Sequence, residues 1–166
     1  MKIALLIVDL QPVYLEEEPL EASVLNSACM YINYVANLLR SNGQPVFHIQ
    51  DIQDRTEENK HRYEVIPDIV IHPEDRRVTK VYSNAFWKTE LEKELRELKV
   101  GMVIVAGFAA EHCVLFTYNG AMERDFKAAI LQNGILSTKQ EVIPATYRDR
   151  NLISYPVIEH LIANEQ

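Results

Sequence analysis

The feature that most constrains the fold is the run Ile-Ala-Leu-Leu-Ile-Val at residues 3–8, closed by Asp9. It carries no polar–apolar alternation. That is the pattern of a strand buried on both faces, and such strands belong to parallel sheets covered by helices on both sides. The rest of the chain repeats the theme. Residues 20–39 place Val24, Ala28, Ile32, Val35 and Leu39 at helical spacing, and Ser41-Asn42-Gly43 stops them, with Gly43 suited to a left-handed cap. Residues 45–50 and 102–106 read as further strands, and 78–82 as a short one. Residues 51–65 are dense in charge without a usable period and read as an exposed loop. Residues 90–98, 111–123 and 155–163 read as helices, and 128–131 as a strand. Strands alternating with helices predict an α/β fold. It should be one domain over residues 1–166, of three α/β/α layers, with a mostly parallel central sheet and right-handed crossovers.

Composition excludes several classes. With 48% hydrophobic and 25% charged residues, the 166-residue chain is that of an ordinary globular protein. Its formal net charge of −7, with no block of Lys or Arg, would repel a phosphate backbone or an anionic membrane. Nucleic acid and lipid surfaces are therefore excluded as partners, and a small-molecule substrate is expected. No segment approaches the roughly 18 apolar residues a membrane span needs, and the first apolar run is too short for a signal-peptide core. A cytoplasmic protein is predicted. Two cysteines, Cys29 and Cys113, make no disulfide framework and read as separate thiols.

In open parallel sheets the site lies beyond the carboxyl ends of the strands. Three reactive residues fall there: Asp9 after the first strand, Lys80 in the short strand before Tyr82, and Cys113 beyond Gly107 at a helix start. Singly, each has an ordinary structural explanation. Together they suit nucleophilic catalysis. A free thiol has a pKa near about 8.5, and a helix N-terminus with a neighbouring ammonium lowers it. A Cys113 thiolate would attack a carbonyl carbon, Asp9 would take the thiol proton and later activate water, and backbone amides before Cys113 would hold the oxyanion.

The local text carries a family resemblance. Leu5 to Gln11 (LLIVDLQ) resembles the opening of isochorismatase-like cysteine hydrolases, in which an Asp is followed two positions later by Gln. Val78 to Phe86 (VTKVYSNAF) is similar to the family's Lys segment, and Val103 to Val114 (VIVAGFAAEHCV) to its nucleophile loop. The resemblance implies an Asp9–Lys80–Cys113 triad and an oxyanion hole from the amides of Ala109 and Cys113. It also implies a cis peptide between Phe108 and Ala109, and a homodimer or homotetramer. Tyr14, Phe86 and Trp87 follow motif residues and are candidates for the pocket wall.

The departures narrow the chemistry. The nicotinamidase branch binds a divalent metal through an Asp-x-His pair. Here the stretch reads Gln50-Asp51-Ile52-Gln53, so Gln53 stands where that His would fall, and no metal or other cofactor is expected. Isochorismatases proper often lack the cysteine, so Cys113 favours hydrolysis of an amide or carbamoyl C–N bond through a thioester. The alternatives are isochorismate-type ether hydrolysis and a catalytically idle member that binds a metabolite or supports an assembly. After the nucleophile the family commonly has Thr-Ala-x-Asp-Ala, whereas this chain reads Thr117-Tyr118-Asn119-Gly120-Ala121. His112 is expected to point away from Cys113 as its helical neighbour. Cys29 and His48 read as core, and Glu16-Glu17-Glu18 as a solvated loop.

Overall fold

The computed structural model describes residues 1–17 and 19–163. One six-stranded sheet runs in the order β3-β2-β1-β4-β5-β6, and every neighbouring pair is parallel. Its strands are β1 (Lys2–Val8), β2 (Val46–Asp51), β3 (Arg76–Lys80), β4 (Val100–Phe108), β5 (Lys127–Leu136) and β6 (Leu152–Ile153). The helices are α1 (Pro12–Glu17), α2 (Ala22–Ser41), α3 (Leu91–Glu97), α4 (Cys113–Met122), α5 (Val142–Asp149) and α6 (Tyr155–Ala163).

The apolar run of β1 explains the three layers. Ile3, Leu5 and Ile7 pack on one face with Ile32, Val35 and Leu39 of α2 and Ile158 and Ile162 of α6. Ala4, Leu6 and Val8 pack on the other with Leu91 and Leu95 of α3 and Val114 and Tyr118 of α4. A strand that feeds two cores has no polar face, hence the missing alternation. Strand order reverses direction between β1 and β4, so a crevice opens beyond their carboxyl ends.

The structure departs from the sequence reading where local signals are short or interrupted. The strand expected over 128–131 continues to Leu136. Gln132-Asn133-Gly134 reads as a turn in sequence, but Asn133 takes φ 61 and the β4–β5 register shifts between Val105 and Gly107, so pairing resumes at Gly107 and Ile135. The six-residue α1 starts on Pro12, a suitable first helical residue, yet is too short to show a period. Helix α5 buries no side chain fully, and β6 is only two residues long, so neither leaves a core pattern. The 51–65 loop contains one 3-10 turn, Lys60–Tyr63, that buries Tyr63. Glu16 and Glu17 lie on α1 rather than in a loop, and both pair with Arg62; Glu18 lies outside the described residues.

Gly107 fixes how closely the site strands meet. Its φ is 114, and a Cβ there would stand 2.0 Å from the Val8 carbonyl oxygen. Gly43 also has positive φ, at 66, but a Cβ there would meet nothing within 4 Å. Gly43→Ala should therefore cost only about 1 kcal/mol, the conformational share. Gly107→Ala should cost at least about 3 kcal/mol, because backbone must also move. Urea unfolding of the two variants beside the parent chain measures the difference, and equal costs would refute the close approach.

Candidate active site

Three strand ends deliver the reactive groups. Asp9 follows β1 in the left-handed region (φ 49), its N–H donating to the Ile49 carbonyl at 3.0 Å. Asp51 closes β2, and Lys80 closes β3 directly opposite it in the strand register. Cys113 is the first residue of α4, reached from β4 through the loop 109–112.

Lys80 is buried, and its ammonium bridges two carboxylates. Nζ donates to Asp9 Oδ2 at 2.7 Å and to Asp51 Oδ2 at 3.1 Å, and lies 3.5 Å from Cys113 Sγ. Asp51 was not among the residues singled out for catalysis. The signal was present in principle, an acid at a strand end facing a lysine at the next, but it required the β2–β3 register. Gln11 ties β1 to β2 behind this cluster. Its Nε2 donates to the carbonyls of Asp51 (2.9 Å) and Tyr63 (2.6 Å), while its Oε1 accepts from Asp51 N–H at 2.9 Å.

A cavity of about 250 Å³ opens onto the cluster, lined by Asp9, Tyr14, Asp51, Gln53, Ser83, Phe108, Ala109, His112 and Cys113. Tyr14 is thus on the wall. Phe86 and Trp87 are not. Phe86 is buried in the core, its ring 5.9 Å from that of Phe126 with the Arg124 guanidinium 5.4 Å away, and Trp87 is exposed to solvent. The turn at 84–87 carries both side chains away from the cavity, and Ser83 takes the wall position. His112 precedes α4 instead of sharing it, so the expected helical divergence from Cys113 does not apply. It lines the cavity, but among the described residues no hydrogen bond joins it to Cys113. Cys29 is buried on α2, and His48 is buried with Nε2 2.8 Å from Asp75 Oδ2.

Backbone hydrogen bonds order the loop before Cys113. The peptide between Phe108 and Ala109 is cis. Ala110 N–H donates to Leu136 O at 2.8 Å, and those of His112 and Val114 to Ala109 O at 3.0 and 3.3 Å. The amides of Ala109 and Cys113 take part in none of these bonds.

Electrostatics overturn one expectation. Helix start and ammonium were expected to lower the Cys113 pKa, yet the thiol is pushed up to about 12. Burial is the main cause and the Asp9 carboxylate adds to it; Lys80 opposes both without prevailing. Burial likewise lifts Asp9 to about 6, against the pull of Lys80. The Lys80 ammonium is opposed by burial, but Asp9 and Cys113 hold its pKa above the usual lysine range. The resting pair is then a thiol beside a carboxylate, with a side-chain hydrogen bond between the two.

The same residues do not fit a divalent metal. Asp51 Oδ2 is held by Lys80, and its Oδ1 accepts from Gln53 N–H at 2.8 Å. Among the described residues no group of three or more His, Cys, Asp or Glu is arranged to hold an ion. Nor, among them, is any helix long and apolar enough to cross a membrane.

The replaced acid at Gly120 has a structural counterpart. A Cβ on Gly120 would stand 2.4 Å from Asn84 Oδ1, so the Asn84 carboxamide fills the space beside α4.

An isochorismatase domain model matches residues 3–149. The chain belongs to the isochorismatase family of hydrolases. It is 22% identical over 156 residues to an uncharacterised isochorismatase family protein, YddQ, of Bacillus subtilis, covering 89% of this chain and 87% of that one. An isochorismatase-like hydrolase from Alkaliphilus metalliredigens superposes with a TM-score of 0.83 at 19% identity over 100% of both chains. N-carbamoylsarcosine amidase from Thermoplasma acidophilum superposes with a TM-score of 0.74 at 22% identity, over 90% of this chain and 92% of that one. At these identities the superpositions speak for the fold alone.

Two outcomes follow from the charges. Asp9→Asn removes the anion that raises the thiol, so the Cys113 pKa should fall while turnover drops by about 10²–10⁴-fold. Ultraviolet titration of the thiolate and steady-state kinetics read the two effects, and a thiol pKa that rises in this variant would refute the assignment. Exhaustive EDTA dialysis should leave any hydrolytic rate unchanged; loss restored by zinc, iron or manganese would overturn the metal argument.

Proposed function

We propose that the chain hydrolyses a C–N bond of a small amide or carbamoyl compound through a thioester on Cys113. The observation that carries this reading is a thiol beside a carboxylate, with Lys80 Nζ at 2.7 Å from Asp9 and 3.5 Å from Cys113 Sγ. The name of the structurally similar N-carbamoylsarcosine amidase favours the same bond type.

As the substrate carbonyl approaches, the Cys113 proton passes to Asp9 and Sγ bonds to the carbonyl carbon. The C=O π pair moves onto oxygen. The amides of Ala109 and Cys113 donate to that oxyanion, and the charge is stabilised where it develops. The oxyanion then collapses, the C–N bond breaks, and the leaving nitrogen takes the proton from Asp9. Asp9, again a carboxylate, removes a proton from water as its oxygen attacks the thioester. The acid leaves and Asp9 returns the proton to Sγ. Lys80 keeps its proton throughout, because its role is to steady whichever of Asp9 and Cys113 is negative. A base that titrates near its working pH combines availability with driving force.

The test is a panel of small amides and carbamoyl compounds run against isochorismate, with intact-mass detection of an acyl adduct on Cys113. Turnover of an amide, lost in Cys113→Ala and in Asp9→Asn, is expected. Its kcat/KM should fall about tenfold per pH unit below the Asp9 pKa of about 6, because protonated Asp9 is no longer a base. Isochorismate turnover that survives Cys113→Ala would reject the reading.

A further inference from the structure

We propose that this cavity selects neutral or cationic substrates and rejects those carrying a carboxylate next to the scissile carbonyl. The inference rests on the site proposed above but is tested by a readout that needs no substrate.

The charges facing the cavity do not balance. Asp9 and Asp51 line it, and among the described residues the only cation in direct contact with them is Lys80, already shared between both at 2.7 and 3.1 Å. Two carboxylates against one ammonium leave one negative charge. Passing the thiol proton to Asp9 does not change that sum, because the charge only moves from oxygen to sulfur. The other wall residues, Tyr14, Gln53, Ser83, Phe108, Ala109 and His112, include no Arg or Lys.

Cations on flanking elements are committed elsewhere or lie off the wall. Arg62 pairs with Glu16 at 2.9 Å and Glu17 at 3.6 Å, and Lys139 pairs with Glu111 at 3.4 Å. Arg55 is exposed two residues beyond Gln53 and does not line the cavity. The dipole of α4 contributes only roughly half a positive charge at its start, and the oxyanion uses it. The Asp9 carboxylate already takes Lys80 and the Cys113 thiol as hydrogen-bond neighbours, so neither is free to meet a second anion. The Tyr14 hydroxyl reports the same field. Beyond its burial, the Asp51 and Asp9 carboxylates raise its pKa. A bound carboxylate would find no fixed counter-charge here, and a primary amide or an ammonium would find acceptors.

Iodoacetamide and iodoacetate are nearly isosteric alkylating agents that differ by one negative charge. Their rates at Cys113, read by peptide mass at pH 8, are compared with the same ratio on the chain unfolded in urea. The comparison cancels thiol pKa and intrinsic reactivity. Folding should raise the amide-to-acid ratio by at least about tenfold, as expected for one uncompensated charge at short range. Gln53→Lys, which places a cation on the wall, should bring the ratio back toward the unfolded value, whereas Arg55→Gln should leave it unchanged. A folded ratio equal to the unfolded one would overturn the inference. Slow labelling by both reagents is expected from the protonated thiol, so it is the ratio that decides, and iodoacetate reacting faster than iodoacetamide on the folded chain would overturn the inference as well. Neither result touches the proposed chemistry, which stands or falls on Cys113-dependent amide turnover.

Discussion

The Lys80 ammonium is the point on which the rest of the site depends. Burying an isolated ammonium is costly, and it becomes tolerable only when anions and hydrogen-bond acceptors surround it. Asp9 and Asp51 supply both, at the ends of strands the fold sets side by side. The arrangement is reciprocal. Without Lys80, two carboxylates would face each other in a buried crevice, and one of them would be driven to take up a proton. The cluster thus specifies its own charge state, and the β3-β2-β1-β4 order is what places Lys80, Asp51, Asp9 and Cys113 in sequence along one edge of the crevice.

That geometry separates this site from one built around a standing thiolate. Burial and the Asp9 carboxylate push the Cys113 thiol up, and the Lys80 ammonium does not offset them. Burial lifts the carboxylate toward neutrality and holds the thiol protonated beside it. In the mechanism proposed above Asp9 is then a general base, and the proton leaves the thiol only when a carbonyl is present to take up the electron pair. A protonated thiol also restrains alkylation and oxidation, which follow thiolate character.

Much of this was legible in the sequence. The two-faced apolar run of residues 3–8 announced a parallel sheet, and the α/β order followed from strands alternating with helices. The full sheet order did not, because β6 is two residues long and β5 passes through an Asn133-Gly134 pair that imitates a turn. Within the site, Asp9, Lys80 and Cys113 stood out because each is a reactive residue at a strand or helix end. Asp51 did not, since its meaning lies in the residue opposite it on β3. The wall was least legible. Phe86 and Trp87 look like pocket residues by proximity to Lys80 along the chain, yet a turn carries them off, while Ser83 and Gln53 are unremarkable in one dimension. The Cys113 pKa was misjudged for a related reason: helix starts and neighbouring lysines can be read from spacing, whereas burial cannot.

The exchange of an acid for Gly120 becomes intelligible through the same loop. Asn84 occupies the room that a Cβ on Gly120 would need, and its Oδ1 accepts from Phe86 N–H at 2.9 Å. Thr117, on the same helix, accepts from Ala85 N–H at 3.1 Å. Helix α4 and the 81–90 loop are therefore docked by a hydroxyl and a carboxamide rather than by an ionised side chain. The residue before Asn84 is Ser83, on the cavity wall, and the residue opening α4 is Cys113. The packing of Gly120 against Asn84 on the buried side of α4 thus lies one residue from the Ser83 wall position along the chain. An acid in place of the buried Gly120 would need a counter-ion of its own, because Lys80 is already shared between Asp9 and Asp51.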